Sequence, residues 1–178
     1  MMKERNIPLG RDTGFPRWVQ ALLWGCTIAV AVMIFLFSAQ SGLKSSTISD
    51  WFADLLIPVI DPEFEELPAV EQVTVESFAQ KLVRKTAHFA EFALLGFFLR
   101  LLTGSYAMRQ PTRWAWLAGT LYACTDELHQ LFVPERSCLW QDVLLDSCGV
   151  LAGVAAAYAL LVLLGRRQNK KQAIRSDG

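Results

Sequence analysis

The chain lacks any excess of charge. Seventeen Lys and Arg stand against seventeen Asp and Glu, so the net charge is zero, and there are only two histidines. Total charge therefore points to no partner. No basic run with interleaved aromatics is present, which argues against nucleic-acid binding. The four cysteines, Cys26, Cys124, Cys138 and Cys148, form no CxxC pair, which argues against a structural zinc site. Cys26 and Cys124 fall in apolar stretches and read as small buried residues. A Cys138–Cys148 disulfide is opposed by the expected helical position of Cys148. There is no internal repeat, and no recognised serine motif surrounds Ser137 or Ser147 to supply a nucleophile.

What the chain has in abundance is apolar residues: 53% of 178 positions, with a mean hydropathy of +0.30. A soluble domain of this size has too little interior to hide them, whereas a bilayer offers a second apolar phase. Trp18 to Phe37 runs without a charge for about the length of a hydrocarbon core. It is longer than a signal-peptide core, and Phe37 fits a cleavage consensus badly, so a retained span is expected. Three more spans follow at 87–103, 114–133 and 143–164, and Pro111 and Pro134 suit the boundaries of the third. Backbone groups in hydrocarbon must pair within their own segment, so the spans are helices. Trp18, Trp51 and Trp114 fit interfacial anchors.

The connection 38–86 carries Ile48, Trp51, Phe52, Leu55, Leu56 and Val59 at helical spacing. This predicts an amphipathic helix over about 46–57, lying on the membrane surface and ended by Pro58; a helix packed on the bundle in water is the alternative. Residues 61–68 are acidic and proline-bearing, hence a loop; 69–85 read as a helix that runs into the second span. The fold class is therefore all-α: a polytopic membrane helix bundle with four transmembrane helices and an outer-surface amphipathic helix. A short segment (1–17) precedes the domain (18–165), and a basic tail without fixed structure (166–178) follows it.

Basic residues set the expected orientation. Lys3, Arg5, Arg11, Arg17, Arg109, Arg113, Arg166, Arg167, Lys170, Lys171 and Arg175 fall on one side; Lys44, Lys81, Arg84, Lys85 and Arg136 fall on the other. The positive-inside rule then places both termini in the cytoplasm. His88 and Glu91, the run Asp126, Glu127, His129 and Gln130, and the pair Asp142 and Asp146 consequently all lie at the outer ends of their spans. His88 and Glu91 share one helix face, and Asp126, His129 and Gln130 share another. Gly149 and Gly153 follow Asp146 in a small-xxx-small pattern that turns the aspartate face into the bundle. Ser38, Gln40 and Ser41 either join this polar cluster or simply end the first helix.

Ionisable groups inside spans are costly, and grouping them with Arg84, Lys85 and Arg136 lowers that cost. Three chemistries fit. The basic residues suit a phosphate or carboxylate ligand. His88, Glu91, Asp126 and His129 suit a divalent metal, though no cofactor is required. The same groups can serve as general acid and base. A purely structural network closing the bundle is the fourth reading, so whether the chain is an enzyme stays open.

Three motifs carry a resemblance. Arg84-Lys85-x-x-His88-Phe89-x-Glu91-Phe92 through Gly96, Asp126-Glu127-x-His129-Gln130-x-Phe132-Val133-Pro134-x-Arg136, and Asp142-Val143-x-x-Asp146-x-x-Gly149-x-x-x-Gly153 resemble the signatures of the VanZ-like family, and Phe37-Ser38-x-Gln40-Ser41-Gly42 resembles its short motif after the first span. Glu135 stands where the family usually has Gly, and Asp146 where Asn is common. The resemblance implies a multi-pass protein of the bacterial cell membrane, related to proteins associated with teicoplanin resistance. It implies that a cell-wall precursor, a glycopeptide or a lipid-related anion is the partner. Arg84, Lys85, His88, Glu91, Asp126, Glu127, His129, Gln130, Arg136, Asp142 and Asp146 are the candidate ligand-binding residues.

Overall fold

The computed structural model describes residues 15–39, 46–134, 136 and 138–176, with side chains described for all of these except 46–49 and 168–176. Lys3, Arg5, Arg11, Gln40, Ser41, Gly42, Lys44, Glu135 and Ser137 lie outside the described residues, as do the side chains of Ile48, Lys170, Lys171 and Arg175. The described chain is helical, with no strand: α1 (Arg17–Ser38), α2 (Ser46–Ile60), a 3-10 turn (Phe64–Glu66), α3 (Ala69–Ser105), α4 (Pro111–Gln130) and α5 (Trp140–Ser176).

Three of these helices, α1, α3 and the 140–167 part of α5, are long and apolar enough to cross a membrane. The expected third span is α4. At 20 residues it has the length, but Arg113, Asp126, Glu127 and His129 make it less apolar. It is a boundary helix in composition and a core helix in packing, lodged against both α3 and α5. Leu22, Ile28, Val32, Leu121, Leu144, Leu151 and Leu163 point outward. In water such a surface would be an aggregation liability, and in lipid it is the matched one.

In lipid, helices gain nothing by hiding apolar side chains from one another, so close packing must hold them. Here glycine supplies it. A Cβ on Gly149 would sit 2.5 Å from the Phe89 carbonyl oxygen, one on Gly153 1.7 Å from that of Ala93, and one on Gly96 2.2 Å from that of Val150. Around this α3–α5 contact, Ile34, Phe92, Leu95, Ala115, Ala123, Val150 and Val154 form a closed core. At the far end from the site, Arg100 Nε donates to Thr112 Oγ1 at 3.2 Å, and the guanidinium lies 5.9 Å above the Tyr158 ring.

Several boundaries differ from expectation. α2 continues past Pro58 to Ile60; the proline is on the exposed side, while Ile57 anchors the last turn against α3. α2 packs through Ala53 and Ile57 onto Ala79, with Val75 and Val83 alongside. The expected stripe of Trp51, Phe52, Leu55 and Val59 is left outward. α4 ends at Gln130, three residues early, where a turn leads to Pro134. α5 starts at Trp140 and continues to Ser176, through the tail expected to lack structure. After Gly165, residues 166–176 contain no proline or glycine, so nothing stops the helix that the preceding span has already nucleated. All four cysteines are free; Cys26, Cys124 and Cys138 are half-buried and Cys148 is exposed.

Candidate functional site

The glycine crossing sets the site. Phe89 meets Gly149, so His88, one residue earlier on α3, is brought level with Asp146, three residues earlier on α5. α4 runs alongside and delivers Asp126, Glu127 and Gln130 in its last turn. Arg136, beyond the end of α4, lines the same end of the bundle. A cavity of about 290 Å³ results, lined by Lys81, Arg84, Lys85, His88, Glu127, Gln130, Arg136, Leu139, Asp142, Leu145 and Asp146.

Charge is layered in this cavity. Lys81 and Lys85 are exposed and Arg84 and Arg136 half-buried. Asp126, Glu127 and Asp146 are 3%, 2% and 2% exposed. Lys85 is ion-paired with Asp142. Partial burial and the Arg84 charge pull the Arg136 guanidinium below its ordinary pKa, opposed by Asp126, Glu127 and Glu91. The exposed lining is therefore mostly basic, with Asp142 paired to Lys85 there, and the buried lining, Glu127 and Asp146, is acidic, with Asp126 buried beside it.

The acids are held by their backs. Asp126 Oδ2 accepts from Ser38 Oγ at 2.8 Å and from Gln130 Nε2 at 3.1 Å. Its Oδ1 has no hydrogen-bond partner among the described residues. Glu127 Oε2 accepts the Leu139 N–H at 3.1 Å, which ties the Arg136-bearing turn to α4. The Cys138 thiol also bonds to Glu127, and desolvation together with that carboxylate pushes the thiol pKa up. Thr120 and Ser147 share a hydrogen bond of 2.8 Å.

His88, Asp126 and Asp146 each present a donor atom within 4.8 Å of the others. This differs from the donor set read from the sequence. Glu91 Oε2 lies 3.9 Å from His88 Nδ1, and Glu91 is not one of the three clustered donors. His129 turns toward α1, its ring centroid 4.4 Å from that of Phe35. Among the described residues, His88 Nδ1, Glu91 Oε2, Asp126 Oδ1, His129 Nε2 and Asp146 Oδ1 are buried without a hydrogen-bond partner. Besides the lining leucines Leu139 and Leu145, Lys81 and Cys138 were not foreseen as part of the site. Lys81 lies at i−3, i−4 and i−7 from Arg84, Lys85 and His88, a spacing that puts it on their face. Cys138 carried no sequence signal, because its contact depends on the turn.

A family model described as VanZ/LLP1 matches residues 23–163, from within α1 into the last turns of the α5 span. Comparison with curated proteins and with solved structures gives no match.

Proposed function

The chain belongs to the VanZ/LLP1 family, and from that premise we propose that it is a four-span membrane protein whose cavity binds a small anionic group of a lipid or cell-wall molecule. The observation that carries this is the ring of Lys81, Arg84, Lys85 and Arg136 at the mouth of one cavity. Arg presents a planar fork that matches phosphate and carboxylate oxygens. The volume, about 290 Å³, is at the lower end of small-molecule pockets, roughly 300–1,000 Å³. It accommodates a headgroup and not a whole glycopeptide. The bias of basic residues to the other side of the membrane supports a cavity that faces outward, with both termini cytoplasmic.

The test is binding by the full chain in uncharged detergent and in nanodiscs. Inorganic phosphate probes the free anion, and phosphatidic acid diluted in phosphatidylcholine probes the headgroup. Arg136→Ala and Arg84→Ala each weaken binding by about tenfold or more, as loss of a charge-assisted hydrogen bond does. Wild-type affinity in both variants rejects the pocket. A link to teicoplanin resistance follows only for a wall-precursor ligand. A change in teicoplanin susceptibility on expression, absent with Arg136→Ala, tests that link.

A further inference from the structure

We propose that His88, Asp126 and Asp146 form a binding site for a single divalent cation at the inner end of the cavity, which His88 and Asp146 line and Asp126 adjoins. Three observations converge on it. The donor atoms of these residues all lie within 4.8 Å of one another. A first coordination sphere with ligand distances of about 2.0–2.4 Å is about 4–5 Å across. Second, Asp126 and Asp146 are 3% and 2% exposed, and each keeps one oxygen, Oδ1, without a hydrogen-bond partner among the described residues. Carboxylates so placed are costly unless a cation or a full set of donors meets them.

Third, Asp126 is oriented as a metal ligand is. Ser38 and Gln130 engage Oδ2 of Asp126, which fixes the carboxylate and leaves Oδ1 to the cluster, the role that outer-shell donors play around a metal. The charged groups acting on Asp146 are Asp126, Glu127, Asp142 and Glu91, all acidic, while Arg136 acts on Asp126 and His88, and Arg84 on His88, from the mouth side. One nitrogen and two carboxylate donors suit Mn²⁺ or Zn²⁺ and are poorly matched to copper(I). Asp126 comes from α4, His88 from α3 and Asp146 from α5, so the cation would also pin three helices together.

Three protein ligands leave coordination positions for an outside oxygen. His88 and Asp146 line the cavity that Arg84, Lys85 and Arg136 also line, so an anion held by those residues reaches the cation. This last step rests on the anion-pocket reading; the cation site itself does not.

The experiment is Mn²⁺ binding, followed by electron paramagnetic resonance, to the purified full chain in uncharged detergent. Wild type takes up about one Mn²⁺ per chain. Asp126→Asn and Asp146→Asn weaken uptake at least about tenfold, and Asp54→Asn, an exposed acid on α2, leaves it unchanged. Pulsed measurements on wild-type protein alone show a nitrogen coupling from His88, which keeps the test decisive even where a variant does not fold. Uptake in the two Asn variants equal to wild type, or no nitrogen coupling in the wild type, overturns the site. Phosphate binding that persists without Mn²⁺ uptake overturns the cation and spares the pocket. Mn²⁺ uptake without phosphate binding does the reverse.

Discussion

Ser38, in the last turn of α1, donates its hydroxyl to Oδ2 of Asp126 in the last turn of α4 at 2.8 Å, and both residues are buried. The bond joins positions 88 residues apart. It ties the end of the first span to the inner end of the cavity, and with Gln130 it fixes which carboxylate oxygen faces inward.

Ser38→Ala removes one of the two donors to that oxygen without adding bulk. The expected loss of stability is about 1–3 kcal/mol, the cost of leaving part of a buried acceptor's capacity unmet. Thermal unfolding in detergent measures it. Ser38→Thr, which keeps the hydroxyl, recovers part of the loss.

The α3–α5 crossing tolerates no side chain. Gly149→Ala would place a Cβ 2.5 Å from the Phe89 carbonyl oxygen, a backbone atom that cannot swing aside. Overpacking of this kind costs about 1–3 kcal/mol, and because Phe89 adjoins His88 the anion affinity falls as well. Gly25→Ala, which meets nothing within 4 Å, is expected to stabilise α1 by about 0.5–1 kcal/mol. Equal stabilities for the two variants would falsify the close-packed crossing.

Glu127 anchors the Arg136 turn through Leu139 N–H and holds up the Cys138 pKa. In a chain whose only cysteine is Cys138, maleimide labelling therefore rises at a higher pH than for an ordinary thiol, because the thiolate forms later. Glu127→Gln removes the charge but keeps an acceptor for Leu139. The labelling profile moves to lower pH while anion binding persists. Glu127→Ala also frees the turn, and there anion affinity falls. Identical labelling profiles in wild type and Glu127→Gln would show that the carboxylate does not act on Cys138.

Which side chains share a level was legible in the sequence, because short connections force α4 to run back along α3 and α5 along α4, and charge bias marks the ends. Which donors face one another was not. Spacing puts His129 and Asp126 on one helix face, but rotation about the α4 axis decides between Phe35 and His88 as the neighbour of each. That rotation is set by the glycine crossing and by Ser38, neither of which spacing alone resolves. The α2 stripe shows a related limit. Its large residues marked the face expected to meet the membrane, but nothing in their spacing marked Ala53 and Ile57 as the contact with α3. The membership of Lys81 was legible from its spacing; the Cys138 contact was not, because it exists only once the turn has closed.

α3 runs from Ala69 to Ser105 as one helix without an internal proline. At 1.5 Å per residue it is about 55 Å long, against about 30 Å of hydrocarbon. Val75, Ala79 and Val83 grip α2, and the same unbroken rod carries Arg84, Lys85, His88 and Glu91 onward into the bundle. No proline or glycine interrupts the chain between Val75 and Glu91, so the seat of α2 and this wall of the cavity share one continuous backbone, and the tilt of α3 sets the position of both.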